Sequence, residues 1–472
     1  MSARGVIARI AGIGRRFPRA CVLCAVIATA NAAVWAVVTP SFQSPDELVH
    51  AGYVQWVAET GTLPPPASGF YGAQDEQAAA TGTPWSLVGH PTWSAQQDAI
   101  LQRTLRGRLG RTNVQSAGYE SNEPPLYYAV EAIPYQLFYG STYFSRLLAM
   151  RLFSALFAGL TVAGIFLFVR ELLPSWPWTW TVSGLVCAFQ PELGFISGSV
   201  NNDALLYATG AVLFWLVARI LRRGFTWRRA AAIGLVAIAG ALTKPSAYGL
   251  MPGAALALMI AAIRAERARG RSSLRGAGQA ILVSSLVAAI LVGWYRLVAR
   301  GSAPSGPSTG LPGGLAGDSG FLTASAIREQ LSYLWQFYLP RLPFMKPQFT
   351  LYPLWYVDFQ GFIGHFGWNE FGFAGWVITA AAAIFAALVA LAGSALVRAR
   401  HAFRKRWAEL GCYAIMVMGL LAVIGITGYR YRQVTSTSFE QARYTFPLLA
   451  LYGALIALAL YGAPRRWAKP LG

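Results

Sequence analysis

The amino-acid sequence predicts an all-α polytopic membrane protein with about ten transmembrane helices. Of the 472 residues, 55% are hydrophobic and 12% are charged, and the mean hydropathy is +0.43. A soluble chain of this size needs a larger share of charged surface, whereas a bilayer solvates apolar side chains. Two patterns support the membrane class: apolar runs of membrane-spanning length, and basic clusters at alternate ends of those runs.

Ten apolar runs have about the length needed to cross a bilayer as a helix, which is roughly 20 residues. They cover residues 20–39, 147–169, 178–196, 203–221, 229–243, 247–263, 279–299, 373–397, 409–428 and 443–463. A secretory signal peptide also begins with an apolar run, but the first run here is long for one and lacks a clear small-residue cleavage site. We therefore interpret residues 20–39 as a retained first helix.

The basic residues predict the orientation in the membrane. Lys and Arg number 39 against 19 Asp and Glu, an excess that nucleic-acid-binding proteins share. Here they concentrate between apolar runs, and with ten spans every strong cluster falls on one side of the membrane. The clusters contain Arg15, Arg16 and Arg19; Arg219, Arg222, Arg223, Arg228 and Arg229; Arg264, Arg267, Arg269, Arg271 and Arg275; Arg398, Arg400, Arg404, Lys405 and Arg406; and Arg465, Arg466 and Lys469. We expect cytoplasmic termini and no nucleic-acid partner.

On this topology the chain is one membrane domain, residues 1–472, with large first and fourth extracytoplasmic loops at residues 40–145 and 300–372. Residues 124–139 of the first loop are apolar and aromatic but short for a span, so we expect an interfacial helix there. The aromatic residues 333–368 of the other loop suit the level of the lipid headgroups. Function is expected on this outer face.

Neither a disulfide framework nor an internal repeat is predicted. The four cysteines, Cys21, Cys24, Cys187 and Cys412, all fall inside apolar runs. The spacing of Cys21 and Cys24 also occurs in redox and metal sites, but apolar surroundings favour packing. Because no repeat is found, the inverted-repeat layout of many transporters is not supported.

Two adjacent carboxylates, Asp46 and Glu47, follow the first apolar run. If Pro45 starts a helix, Asp46 and His50 share one face, while Glu47 lies about 100° away. One carboxylate would then face an outer cavity. The alternative is a pair of acids that only stabilises the positive end of a helix dipole.

Other polar groups border apolar runs at the same predicted outer level. They are Asn201, Asn202 and Asp203; Lys244; and Gln441, Arg443 and Tyr444. Taken singly, Lys244 is explained by snorkelling to the interface, and Arg443 by its position beside the last span. Taken together, a carboxylate and cations from different helices suit a reaction in which a hydroxyl loses a proton while a phosphate leaves.

Two further segments contribute candidate residues. Residues 119–128 carry the carboxylates of Glu120 and Glu123 before a rigid Pro-Pro pair. Residues 359–370 are rich in aromatic residues and glycine and are expected to wall a sugar or lipid pocket, although an interfacial aromatic belt explains Trp368 equally well.

In their order along the chain, these elements resemble those of the GT-C superfamily of membrane glycosyltransferases, which use polyprenyl-phosphate sugars. The resemblance is to a bacterial, largely uncharacterised branch beside the protein mannosyltransferase and aminoarabinose-transferase types. The matching elements are Asp46-Glu47-x-x-His50-x-x-Tyr53, Glu123 to Tyr128, Asn201-Asn202-Asp203, Leu242-Thr243-Lys244 and Gln441-Ala442-Arg443-Tyr444. Each is weak alone, and the ordered set is fairly specific.

The resemblance implies a GT-C type fold and an inverting sugar transfer at the outer face of a bacterial plasma membrane. A polyprenyl-phosphate sugar would be the donor, a glycan, lipid or protein of the cell envelope would be the acceptor, and membrane lipid would hold the polyprenyl chain. Asp46 matches the general base, and Lys244 and Arg443 would neutralise the departing phosphate. Glu47, placed with Asp46 at the catalytic centre, would orient it or the sugar, as would His50 and Asn202. The remaining substrate-binding candidates are Tyr53, Glu123, Tyr127, Asn201, Asp203, Trp368 and Tyr444.

Some features leave alternatives open. The superfamily often has Gly in place of Ala442, and His or Gln near Glu123 in some relatives. Some members bind a divalent metal and others need none, so a ligand set of Asp46 with Asp203 or His50 stays open.

Two other functional classes compete with an enzyme. A transporter or flippase of lipid-linked sugars would bind its substrate through the same carboxylates and cations, and a non-catalytic assembly subunit would use them structurally. An ion-coupled transporter is expected to carry charges near mid-bilayer, and the spans carry few, with Glu192 the main one.

Overall fold

The structure is a computed structural model that describes residues 18–64, 94–96, 99, 123–299, 324–349, 354–367, 370–435 and 441–463. In these ranges the regular secondary structure is helical apart from one two-stranded hairpin. The helices are α1 (Arg19–Val38), α2 (Glu47–Thr60), α3 (Leu126–Leu137), α4 (Tyr143–Leu172), α5 (Pro177–Ala188), α6 (Pro191–Ser197), α7 (Asp203–Arg223), α8 (Trp227–Ala241), α9 (Met251–Ala268), α10 (Ser273–Ala299), α11 (Ala324–Tyr338), α12 (Leu354–Gly364), α13 (Gly375–Arg398), α14 (Arg400–Arg404), α15 (Trp407–Thr435) and α16 (Leu449–Gly462). Short 3₁₀ segments, Pro245–Leu250 and Ala442–Leu448, precede α9 and α16.

Within the described residues, eight helices are long and apolar enough to cross a membrane. They correspond to α1, α4, α7, α9 with its 3₁₀ segment, α10, α13, α15 and α16 with its 3₁₀ segment. The predicted class, an all-α membrane protein with several apolar helices, is confirmed. The chain is therefore a membrane protein with a largely helical bundle.

The other two apolar runs form shorter helices, so the predicted number of ten spans is not established. Residues 178–196 divide into α5 and α6, which are 12 and 7 residues long. The break falls at Gln190, before the proline that begins α6. The other short run forms α8, whose 15 residues extend only about 22 Å at 1.5 Å per residue.

The helices α4 and α7 lie at the centre of the bundle. In their most apolar stretches 67% and 72% of residues are buried, against 17% in α10 and 11% in α13. The 3₁₀ segment Pro245–Leu250 and α15 approach each other closely at Gly249 and Gly419, where a Cβ on Gly419 would lie 2.0 Å from the carbonyl oxygen of Gly249. The exposed sides of α10 and α13 are apolar, as expected of lipid-facing helices.

Shorter elements pack against the long helices. The predicted interfacial helix exists as α3, which packs on α2 and α4. The aromatic stretch near residues 333–368 forms α11, α12 and one strand of the hairpin, in which His365 pairs with Gly372. The first and last basic clusters, apart from Arg19, lie outside the described residues, as does Glu120.

The four cysteines and Arg151 are buried. All four cysteines are buried and free, which agrees with packing and with no disulfide. The apolar run that became α4 contains Arg151, a buried charge that the sequence analysis passed over in favour of Glu192. An arginine inside an apolar run requires a partner, and this one has several.

Candidate functional site

Asp46 lies immediately before α2. The predicted helix start at Pro45 is wrong, because the first helical residue is Glu47 and Asp46 has a left-handed backbone with φ of 64°. Aspartate adopts this conformation more readily than most residues. The carbonyl of Asp46 accepts a hydrogen bond from the amide of His50 at 3.0 Å, and its carboxylate accepts one from Arg443.

Two cations and two carboxylates from four chain segments meet at this point. Arg443 binds the Asp46 carboxylate through Nη2, and its Nε lies 3.6 Å from Asp203 Oδ2. The ammonium of Lys244 lies 2.6 Å from Asp203 Oδ1. The ring of Tyr444 contacts both cations, with its centre 5.1 Å from Lys244 Nζ and 5.3 Å from Arg443 Cζ. We call these five residues the Asp46 cluster.

The Asp46 cluster has an accessible edge and a buried floor. The side chains of Asp46 and Lys244 are 16% and 17% exposed, whereas Asp203 and Arg443 are buried. Among the described residues, Asp203 Oδ2, Arg443 Nε and the Oδ1 of neighbouring Asn202 have no hydrogen-bond partner. Buried polar atoms in native proteins are rarely unpaired, so these atoms are suited to bind water or a polar ligand.

Glu123 adds a third carboxyl group beside the cluster. Its Oε2 accepts a hydrogen bond of 3.2 Å from Asn202 Nδ2, which also lies 3.4 Å from the carbonyl oxygen of Thr243. Burial raises the pKa of Glu123 to about 7, although the charge of Lys244 opposes the rise. Burial alone would lower the pKa of Lys244, but the carboxylates of Asp203 and Glu123 raise it above its ordinary value. Lys244 is therefore a cation at neutral pH.

His50 and Tyr53 form a buried wall behind Asp46. His50 Nδ1 lies 2.9 Å from the hydroxyl of Tyr128, and burial lowers the pKa of His50 to about 3, so the ring is neutral. Tyr53 stacks on Tyr128 with ring centres 3.7 Å apart, and its hydroxyl donates to the carbonyl oxygen of Glu123. His50 and Tyr53, both predicted to bind substrate, are buried and pack against Tyr128.

Glu47 does not join Asp46 at the cluster, which corrects its predicted catalytic position. It is fully buried and forms two hydrogen bonds with Arg151, from Nε at 2.7 Å and from Nη2 at 2.5 Å. The amides of Phe42 and Val200 also donate to it, at 2.9 and 3.1 Å. The physical reason is the neighbouring arginine in α4, which pairs with the acid in the interior.

Two further predicted contacts also lie in the interior. Tyr127 is buried against α4, where its hydroxyl lies 2.7 Å from Ser154 Oγ. Asn201 holds the local backbone, since its Oδ1 accepts from the amide of Asp203 at 2.9 Å and its Nδ2 donates to the carbonyl of Pro45 at 3.2 Å. In this structure, the contacts of Tyr127 and Asn201, both predicted to bind substrate, are with other parts of the protein. Trp368 lies outside the described residues.

The described residues do not form a metal site at the cluster. Asp46 and Asp203 face Arg443 and Lys244, and no group of three or more His, Cys, Asp or Glu in the described part of the chain has the arrangement of a metal site. The two carboxylates are each paired with a cation of the protein, Asp46 with Arg443 and Asp203 with Lys244.

One comparison with known proteins found a match. A family model described as a predicted membrane protein, DUF2142, matches residues 31–452. No curated protein and no solved structure matches the chain. The match spans the whole Asp46 cluster.

Proposed function

The chain belongs to the DUF2142 family of predicted membrane proteins, and we propose that it is an inverting glycosyltransferase. The donor is a polyprenyl-phosphate sugar, and the acceptor is a hydroxyl of a cell-envelope glycan, lipid or protein. The observation that carries this proposal is the meeting of the accessible carboxylate of Asp46 with the cations of Lys244 and Arg443 at one end of the bundle. Acid and base chemistry and phosphate binding need these groups together.

The proposed reaction is a single displacement. The acceptor oxygen forms a bond to the anomeric carbon while the bond from that carbon to the phosphate oxygen breaks, and its electron pair leaves with the phosphate. The proton of the acceptor hydroxyl passes to Asp46. Lys244 and Arg443 stabilise the charge on the departing phosphate, and Tyr444 holds the two cations in place through its ring.

Arg443 has to exchange partners in this scheme. Arg443 binds the Asp46 carboxylate in this structure, and its Nε lies 3.6 Å from Asp203 Oδ2. A phosphate that binds Arg443 competes with the Asp46 carboxylate and leaves that carboxylate available to accept a proton.

The proposal also places the site relative to the membrane. We place the Asp46 cluster on the outer face of a bacterial plasma membrane, with both termini in the cytoplasm, on the support of the positive clusters at the other ends of the spans. The polyprenyl chain then lies in lipid while the sugar lies in water. Labelling of Thr60→Cys and Ser272→Cys tests this, because the native cysteines are buried. Opposite sides are expected, and the same side would contradict the orientation.

A transfer assay separates the proposal from its alternatives. The purified chain in liposomes is given a panel of radiolabelled polyprenyl-phosphate hexoses and pentoses with envelope glycans, lipids and peptides as acceptors. We expect labelled sugar on an acceptor with equal release of polyprenyl phosphate. Donor that crosses the bilayer unconsumed would identify a transporter or flippase instead. Neither consumption nor crossing would favour a non-catalytic assembly subunit.

A further inference from the structure

The loop between α1 and α2 has a strained backbone. Phe42 and Asp46 have φ of 66° and 64°, and they are the two non-glycine residues with positive φ in the described part of the chain. For a bulky residue such as Phe42 this conformation is unfavourable, and it persists only where the surroundings hold it. Asp46 takes its direction toward Arg443 from this loop.

Arg151 holds the first half of the loop. Its guanidinium donates to three carbonyl oxygens at the end of α1 and just beyond it, those of Ala36 at 3.0 Å, Thr39 at 2.7 Å and Pro40 at 3.0 Å. Its other two hydrogen bonds go to the two carboxylate oxygens of Glu47. All five N–H donors of the planar guanidinium therefore make hydrogen bonds. A lysine has no such planar set of donors and cannot reproduce this pattern.

Glu47 extends this connection to both halves of the site. Its Oε2 accepts from the amide of Phe42, the strained residue, and its Oε1 accepts from the amide of Val200, just before Asn201 and Asp203. A second bridge lies alongside, from Ser44 Oγ to Ser199 Oγ at 2.9 Å. One buried ion pair thus joins the Asp46 loop to the segment that carries Asp203.

We propose that Arg151 and Glu47 are positioning residues, which hold the strained loop so that the Asp46 carboxylate faces Lys244 and Arg443. The two side chains are buried and act through Asp46 without touching substrate. The proposal rests on the proposed function of the Asp46 cluster, but its effect on the loop is measurable without any activity. Buried pairs often serve stability alone, so the test needs a matched pair elsewhere.

Arg222 provides that matched control. It lies at the other end of the bundle, where its Nε donates to buried Glu409 at 2.8 Å and its Nη1 donates to the carbonyls of Glu171 and Leu172. It therefore combines a glutamate and carbonyl partners as Arg151 does. Arg151→Lys and Arg222→Lys keep the positive charge but lose the planar guanidinium and its five donors. Glu47→Gln serves as a second variant if Arg151→Lys folds poorly.

Two measurements are made on the full chain in lipid nanodiscs. Amide hydrogen exchange is expected to become faster around Phe42 in Arg151→Lys and to stay unchanged there in Arg222→Lys. With a polyprenyl-phosphate sugar as donor, kcat of Arg151→Lys is expected to fall by about 10²-fold with little change in KM, because a small misplacement of a reacting group has effects of that size. Thermal unfolding is followed in both variants.

The outcomes separate the two proposals. Unchanged exchange around Phe42 in Arg151→Lys and Glu47→Gln would overturn the positioning role, as would a kcat no lower than that of Arg222→Lys. If the wild type transfers no sugar, the proposed function fails, and the exchange of the loop alone decides whether the pair holds it.

Discussion

The two ends of α7 both carry buried charged groups, but they differ in how completely those groups are paired. At the Arg222 end, Glu409 accepts from Arg222 at 2.8 Å, and Glu171 accepts from Arg219 and Arg223 at 3.2 and 2.9 Å. At the Asp203 end, Asp203 Oδ2, Arg443 Nε and Asn202 Oδ1 have no hydrogen-bond partner among the described residues, although the first two lie 3.6 Å apart as an ion pair. The ends lie about 31 Å apart, since α7 has 21 residues at 1.5 Å each.

Buried ion pairs alone therefore do not identify a functional site. The Arg222 end joins α4, α7 and α15 through arginines whose partners are acids and helix-terminal carbonyls. The Asp203 end adds a left-handed Asp46 backbone, and buried atoms of Asp203, Arg443 and Asn202 there have no hydrogen-bond partner in the described part of the chain. Unusual backbone conformations and unpaired polar groups are common at functional sites.

The largest expected effect is on turnover. Asp46→Asn removes the proposed base and should lower sugar transfer by roughly 10² to 10⁴-fold, the usual contribution of a general base. Glu409→Gln is the matched change at the other end and should leave kcat of the folded protein unchanged. Rates measured with polyprenyl-phosphate sugars check both. Equal losses in the two variants would remove the distinction between the ends.

The next effect is on stability. Arg222→Met leaves buried Glu409 without its arginine and should lower the free energy of unfolding by about 3 kcal/mol, since breaking one partner of a buried pair is costly. Unfolding in detergent with increasing denaturant measures this. The molecules that remain folded should transfer sugar at the normal rate, and a loss of kcat in them would show that the Arg222 end contributes to catalysis.

A smaller effect is expected on the KM for the donor. Lys244→Met removes a cation from the accessible edge and should raise the donor KM by about tenfold or more, as expected for one charge-assisted hydrogen bond. Arg219→Met, a partly exposed cation at the other end, is the control. Steady-state kinetics with varied donor check the pair, and an unchanged KM in Lys244→Met would exclude this lysine from phosphate binding.

The smallest effect concerns pH. Because the pKa of Glu123 is raised to about 7, this carboxyl group is neutral at lower pH and gains a negative charge above it. The added charge repels a phosphate, so the donor KM of the wild type should rise as pH passes through 7. Glu123→Gln cannot ionise and should show a flatter profile. A KM that rises equally in both proteins would assign the pH dependence to another group.

The sequence predicted much of this arrangement, and the part it missed has a physical explanation. The apolar runs predicted the long helices, and the grouping of Asp46, Asp203, Lys244 and Arg443 at one level of the bundle agrees with their contacts. The number of spans could not be predicted reliably, because a hydropathy average over residues 178–196 does not detect the break at Gln190 that divides this run into two short helices. Apolar runs and charged residues can be read from short stretches of the sequence, without knowledge of distant contacts.

The errors arose where the partner is distant in sequence. Glu47 and Asp46 are adjacent and chemically alike, and only the contact of Glu47 with Arg151, 104 residues away, separates their roles. Tyr53 and Tyr127 carry hydroxyls that suit a sugar, but the packing of α2, α3 and α4 buries them. The signal that could have found the pair was the charge of Arg151 within an apolar run.

The most direct test of the central claim is an experimental structure of the protein with a bound polyprenyl phosphate. The phosphate is expected at the Asp46 cluster, with oxygens about 2.8 Å from Lys244 Nζ and from an Arg443 nitrogen. The Asp46 carboxylate is expected to be released from Arg443. A phosphate bound at the Arg222 end, or a lipid held with Arg443 still paired to Asp46, would contradict it.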